Sequence, residues 1–490
     1  MLRSGLFAPG PLLALAGAVM RSGINLVALV RLGARIRADA AIEDGRERVA
    51  FGVLADQAER IAAMLHAGHG VGRGTAVAIT GANGLGFVRA LLALSRLGAR
   101  AVLINPALPP LQASQLLDRH GVSLLLAAKD TVEAMDGVAT LDPDDLLRSG
   151  GRPPVAPPRQ SSGEIVVLTG GTTGLPKPAG RAVAPGSVLR LFLHLVAALQ
   201  LERRRAVFVA VPLFHGFGLA SLIVALALGR TVHLRPRFEA GPAAALIGAE
   251  RIDTLVVVPT MLRRLLAVPD ALGPLQCVVS GGAALDAELV QDTRARLGEI
   301  LFNLYGTSEA GLAALALPDD LAAAPGTIGR PIWGAQIRLG DEGGSADEGA
   351  LWVRSAASIT RESWIATGDL AHRDAAGRLF IRGQTDDMIV SGGENVDPWE
   401  LETVLLTHPH VAQAAAVGVA DRDYGQRLVA FVVPHSGFDL DADMLLGWLA
   451  GRVARHLTPR SVAVRDALPL TAIGKVDRTG LRQAAMSGPC

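Results

Sequence analysis

The chain has 490 residues, half of them apolar and 19% charged, which excludes a disordered or tail-like polymer and predicts two or more domains. A net charge of +1, from 47 basic and 46 acidic residues, gives no bulk pull toward nucleic acid. Two cysteines, Cys277 and Cys490, cannot make a disulfide framework, and no Cys/His spacing marks structural zinc, so a reducing, cytosolic compartment is expected.

In chain order, Ser4 to Met20 is uncharged and mostly apolar between Arg3 and Arg21. It is too short and too rich in Pro and Gly to span a bilayer. A packed helix is expected there, with an interfacial membrane anchor as the alternative. From about Val49, apolar strands alternate with helical segments. Thr75–Thr80, Ala101–Ile104 and Leu124–Ala128 read as strands and Gly86–Leu97 as a helix. Such alternation implies parallel β-α-β units. Gly150–Gly163, rich in Pro, Gly and Ser, reads as a linker or exposed loop. A second α/β run follows, with strands at Ile165–Leu168, Ala206–Val211, Thr231–Leu234, Thr254–Val258 and Cys277–Ser280. After Gly340, short segments such as Ala350–Arg354 and Leu379–Arg382 predict a small β region, and residues from about 384 onward a compact α+β domain. No internal repeat is present. The fold class is therefore α/β: a large N-terminal domain of α/β subdomains with a small β region, then a small α+β C-terminal domain.

Only three of the 47 basic residues are lysines: Lys129, Lys177 and Lys475. Lys177 ends a Gly/Thr-rich loop after a strand, Val166-Val-Leu-Thr-Gly-Gly-Thr-Thr-Gly-Leu-Pro-Lys177. Glycines let successive backbone N–H groups converge on an anion, threonines add hydroxyl donors, and the lysine adds a mobile charge. That combination suits a polyphosphate, although no Gly-Lys-Ser/Thr of a Walker A loop is present.

At this loop the chain resembles the adenylate-forming superfamily of acyl-CoA synthetases, luciferases and peptide-synthetase adenylation domains. The resemblance covers about residues 30–485. Gly170 and Pro178 depart from the family's Thr-Ser-Gly-Thr-Thr-Gly-x-Pro-Lys-Gly pattern. Further resemblances follow in order: Val211-Pro-Leu-Phe-His-Gly-Phe-Gly218, Ser280-Gly-Gly-Ala-Ala284, Asn303-Leu-Tyr-Gly-Thr-Ser-Glu309, Thr367-Gly-Asp369, the long segment Arg382–Glu402, and Leu468-Pro-Leu-Thr-Ala-Ile-Gly-Lys475-Val-Asp-Arg478. Residues 355–363 are shorter than family members usually have.

The resemblance implies ATP, Mg²⁺ and CoA as cofactor and co-substrates, and an acyl-adenylate intermediate. An exported chain would meet no ATP, so a signal peptide, hinted at by Ala14-Leu15-Ala16, is disfavoured. The implied nucleotide site comprises Thr169, Gly171, Thr172, Thr173, Gly174, Lys177, Gly282, Ala283, Asn303, Tyr305, Gly306, Ser308, Asp369, Arg382 and Gln384. Tyr305 would stack on adenine and Asp369 would accept from ribose hydroxyls. Gln384 stands where an arginine is usual, with Arg382 as a compensating candidate. Glu309 is the implied Mg²⁺ ligand. His215 and Lys475 are implied catalytic residues, the lysine bridging the attacking carboxylate and the α-phosphate. The acyl pocket would take Phe217, Gly218, Val258, Gly281 and Gly311, and the pantetheine tunnel Ser391, Gly392 and Gly393. The implied domains are 1–382, a hinge at 383–386 pivoting on Asp386, and 387–490.

The pocket candidates are mostly apolar, and Phe214-His215 lacks the aspartate that holds an amino group in peptide-synthetase domains. A fatty or other hydrophobic acid is therefore expected. No insertion precedes the hinge, so CoA is preferred over an acyl carrier protein as acceptor. A degenerate nucleotide- or acyl-binding homologue is the reading from a different class.

Overall fold

The computed structural model describes residues 9–108, 110–128, 138–149, 156–169, 177–181, 185–269, 272–307, 309–340, 347–355, 363–384, 389–391, 394–396, 398–421, 425–450, 452–453, 457–471 and 476–487. The chain forms two compact units: residues 1–336 with 354–363, and residues 337–353 with 364–490.

The first unit contains two largely parallel sheets. A six-stranded sheet runs in the order Ala139–Leu141, Leu124–Leu126, Ala76–Thr80, Arg100–Ile104, Ile165–Thr169, Lys177–Arg181. Its first five strands are parallel and the last is antiparallel. A nine-stranded sheet runs Arg330–Pro331, Gly311–Ala316, Leu301–Thr307, Cys277–Gly281, Thr254–Val257, Ala206–Val209, Thr231–His233, Ala41–Glu43, Arg48–Ala50. Its central strands are mostly apolar and buried because helices cover both faces. The strand period of two divides their side chains between two cores. Val207 and Val209 join a core shared with Ile79, Leu103 and the helices Phe51–His69 and Leu85–Leu97. Phe208 faces the other way, onto Ile247, Leu262 and Leu289.

The strands expected from the apolar runs all form, with shifted ends. Residues 156–163, the described part of the segment read as a linker or exposed loop, form a mostly exposed loop within the first unit. They lie between the helix Pro143–Arg148 and the strand Ile165–Thr169, and they are pinned to other parts of the same unit. Arg96, itself buried, donates to the carbonyls of Pro157 and Pro158, and Ser162 N–H donates to Ile24 C=O. A domain linker cannot carry such ties.

The N-terminal stretch forms the helix Pro9–Ser22, followed by Leu26–Ile36. Asn25 caps the second helix, its side chain accepting from Val27 N–H and Ala28 N–H. Its amide donates to Ser22 C=O and Gln160 C=O. Ala18 and Ser22 are buried while Met20 and Ile24 face solvent. Among the described residues no helix is long and apolar enough to cross a membrane.

The second unit holds most of a four-stranded sheet in the order Ala335–Leu339, Glu348–Ser355, Ile365–Arg373, Leu379–Gln384, its last three strands antiparallel. A five-stranded sheet follows, built on the long hairpin Val411–Asp421 and Gly425–Pro434. The short strands Ile389–Ser391 and Glu394–Val396 extend it on one side, and Ser461–Val464 adds a parallel strand. The helices Pro398–Leu405 and Ala442–Leu449 pack through Leu401, Leu405, Leu445 and Leu449 on one face. Leu481 of the helix Arg478–Ser487 packs with Val417 and Phe431 on the other.

Candidate active site

The strands Ala206–Val209, Thr254–Val257, Cys277–Gly281 and Leu301–Thr307 are adjacent and parallel, so their carboxyl ends open at one edge of the sheet. Ligands in open α/β sheets bind at such edges. His215 follows the first strand, Val258 the second, and Gly282 and Ala283 the third, while Tyr305 lies near the end of the fourth.

His215 sits just before the helix Gly216–Ala227, half-buried, its ring tilted against Phe214 at 4.5 Å. Two features hold it there. A Cβ on Gly218 would run into the Pro212 carbonyl, so only glycine lets the helix start this close to the loop. The buried Asn83 bridges the two sheets of the unit. Its amide donates to Val211 C=O at 2.9 Å, and its carbonyl accepts from Leu213 N–H at 2.8 Å. Sequence reasoning assigned Asn83 nothing. Its only signal was an Asn-Gly turn pair, which says nothing of a partner about 130 residues away.

Two of the expected acyl-pocket residues, Phe217 and Gly281, are neighbours. A Cβ on Gly281 would lie 3.3 Å from the Phe217 ring and 2.7 Å from Leu304 C=O, and Val258 lies beside Gly282. Gly218, Val258, Gly281 and Gly311 are buried and Phe217 is half-buried.

Asn303 to Thr307 belong to the strand itself rather than to a loop after it. That strand turns back through Glu309 into Gly311–Ala316. The register slips between Tyr305 and Gly306, a bulge of the kind that re-aims side chains beside functional sites. Tyr305 and Glu309 are half-buried. Asn303 is buried and its amide donates to Thr327 C=O at 3.0 Å, bracing the neighbouring loop. Cys277, in the strand leading to Gly281, is no nucleophile, because burial pushes its thiol up to about 12.

The Gly/Thr motif joins the last two strands of the six-stranded sheet. Thr169 and Lys177 sit directly opposite one another in the antiparallel register. Pro178, lacking an N–H, is accommodated because its strand is an edge. Gly171, Thr172, Thr173 and Gly174 lie outside the described residues, as do Ser308, Asp386, Gly392, Gly393 and Lys475.

In the second unit, Thr367-Gly-Asp369 lies within a strand rather than at a turn, and Asp369 pairs directly with Gln384. The Asp369 N–H donates to the Thr367 hydroxyl, which donates to Leu351 C=O. Arg382 donates to Glu348 at 2.9 Å and to His372 at 3.2 Å. Burial holds His372 below the usual histidine range, and the Arg382 charge adds to this. Upstream, Arg338 is sandwiched between Trp352 and Trp364 at 5.0 and 4.5 Å. Ser391 lies in a strand paired with Glu394.

Among the described residues no group of three His, Cys, Asp or Glu could hold a metal ion. One carboxylate, Glu309, fits a Mg²⁺ ion whose other ligands are phosphate oxygens and water, the usual mode for this ion.

Residues 31–364 match the family described as AMP-binding enzyme, and residues 400–475 match its C-terminal domain. The chain belongs to the AMP-binding enzyme family. It is 31% identical over 477 residues to an indoleacetate–CoA ligase of Aromatoleum aromaticum, covering 89% of this chain and 93% of the relative. A 4-chlorobenzoate–CoA ligase of a Pseudomonas species is 32% identical over 450 residues, 83% of this chain and 84% of the relative. Among solved structures, o-succinylbenzoate CoA synthetase (MenE) of Bacillus subtilis in complex with its acyl-adenylate intermediate matches with a TM-score of 0.81. That match is 27% identical and covers 93% of this chain and 97% of the other. The same enzyme with ATP and a magnesium ion matches equally well.

Proposed function

We propose that the chain is an AMP-forming acid–CoA ligase for an aryl or other ring-bearing carboxylic acid. The observation that supports this reading is that His215, Gly281, Tyr305 and Glu309 lie at or beyond the carboxyl ends of strands in one sheet, with Phe217 against Gly281, in a member of the AMP-binding family. The apolar pocket residues support a hydrophobic acid. The relatives' names, which specify indoleacetate and 4-chlorobenzoate, favour a ring over the fatty chain expected from the sequence alone.

In the first step a carboxylate oxygen attacks the α-phosphorus of ATP, and the α–β phosphoanhydride bond breaks to release pyrophosphate. His215 and Phe217 line the acid's path, Tyr305 stacks on the adenine, and Asp369 accepts from the ribose hydroxyls. Lys475 bridges the carboxylate and the α-phosphate, where charge accumulates. Mg²⁺ held at Glu309, when bound, neutralises phosphate charge. In the second step the C-terminal domain, residues 387–490, turns about Asp386 and withdraws Lys475. The segment Ser391-Gly-Gly393 then borders the pantetheine tunnel, the CoA sulfur attacks the acyl carbon, and AMP leaves.

The test is incubation with Mg·ATP and a panel of benzoic, arylacetic and straight-chain acids, with and without CoA, read by mass spectrometry. Acyl-CoA formed only with CoA, and fastest for a ring-bearing acid, is expected. Acyl-AMP accumulating in both tubes transfers the acceptor role to a carrier protein. No AMP from any acid overturns the enzyme reading in favour of a ligand-binding homologue.

A further inference from the structure

The C-terminal unit contains an ion pair, its carboxylate buried and its guanidinium partly exposed, that the mechanism does not use. Glu402, in the helix Pro398–Leu405, and Arg478, first residue of the helix Arg478–Ser487, are 76 residues apart and meet fork to fork. The Arg478 Nη1 lies 2.7 Å from the Glu402 Oε1, and Nη2 donates to Oε2 at 3.0 Å. Both groups also bind Ala416 of the long strand. Its N–H donates to Glu402 at 2.7 Å and its C=O accepts from Arg478 at 2.7 Å. Glu402 is 7% exposed, so its charge is held by these partners rather than by water.

Arg478 lies three positions after Lys475, and the two residues between are also tied. Val476 forms an antiparallel bridge with Leu470, and Asp477 N–H donates to Pro469 C=O at 2.8 Å. The Asp477 carboxylate caps the last helix by accepting from Gly480 N–H at 2.9 Å. Leu468, at the other root of the loop, is buried with Val417 and Leu481.

We propose that the Glu402–Arg478 pair is a positioning clamp for the loop that carries Lys475: it fixes the C-terminal root of that loop, residues 476–478, to the Ala416 strand. The inference rests on the proposed adenylation role of Lys475. The two remain separable because one readout needs no substrate. A lysine-specific endoprotease has only three sites in this chain, Lys129, Lys177 and Lys475. In the full-length Glu402→Gln variant, native-state cleavage at Lys475 is expected to rise about tenfold while cleavage at Lys177 stays unchanged. Arg478→Gln should do the same, and it carries the test if Glu402→Gln does not fold. Leu445→Ala, a core deletion on the opposite face of the same unit, controls for general loosening. With the best acid of the panel, both clamp variants should slow acyl-AMP formation about tenfold and leave thioester formation from added acyl-AMP intact. Unchanged cleavage at Lys475, or an equal rise in Leu445→Ala, overturns the clamp. If Lys475→Ala itself adenylates at the parental rate, the catalytic reading falls, while the proteolysis alone still decides whether the pair clamps the loop.

Discussion

Asn83 holds three backbone groups, one at the end of another sheet's strand and two in the loop that follows, and that loop delivers His215. Asn83→Ala leaves Leu213 N–H and Val211 C=O buried with no Asn83 partner, at a cost of about 1–3 kcal/mol. Because the loop carries His215, the acid KM should rise about tenfold while the KM for ATP moves little. Steady-state kinetics with each substrate varied in turn checks this, and an equal rise in both constants would refute the local role. Ser280 is the opposite case. Its hydroxyl is fully buried and finds no partner among the described residues. Ser280→Ala removes an unsatisfied polar atom without opening a sizeable cavity, so thermal stability should hold or rise, by about 1 kcal/mol. A drop in melting temperature would mean that the hydroxyl has a partner.

At the scale of elements, the best-placed parts of the site are strand ends. A parallel strand buried on both faces cannot slip without exposing apolar side chains, so the residue that follows it is located by the core. This is why Val258 and Gly282 emerge side by side from neighbouring strands. It is also why the apolar runs at 206–211, 254–258 and 277–280 were readable without a structure. The loop 156–163 was readable only as irregular and exposed or linking, because Pro, Gly and Ser report no more than that. Its attachment depends on Arg96, about 60 residues away in sequence. The motif at 303–309 was recognised by residue type, yet its hairpin with Gly311–Ala316 is a matter of pairing that residue types do not encode.

The whole molecule carries a pH dependence of definite sign. His120, His194, His233, His372 and His408 are all held below the ordinary histidine value of 6.5, in each case chiefly by burial. The stability each contributes is therefore present above about pH 6.5 and is lost as pH falls through the lower folded-state value. The melting temperature should fall between pH 7 and pH 5, with net proton uptake on unfolding, and a flat profile would refute this. His408 is a sharp case, because its Nδ1 accepts the His410 N–H and its ring meets Trp448 at 4.9 Å. A second test at this scale separates the two half-reactions. Lys475→Ala should slow acyl-AMP formation by about 10²–10³ and leave thioester formation from added acyl-AMP near normal, because the lysine is proposed to be withdrawn in that step. Equal loss in both halves would argue against the domain turn.

By itself the amino-acid sequence determined the α/β class, the strand runs, the order of the motifs and hence the family, since each depends on short-range pattern: apolar periodicity, glycine spacing and a lysine where arginine is the rule. Only the tertiary structure decided which distant residues brace those motifs. Asn83 reaches the His215 loop, and Glu402 closes on Arg478. The physical reason is that buried polar side chains must find partners, and packing rather than sequence neighbourhood brings those partners within reach.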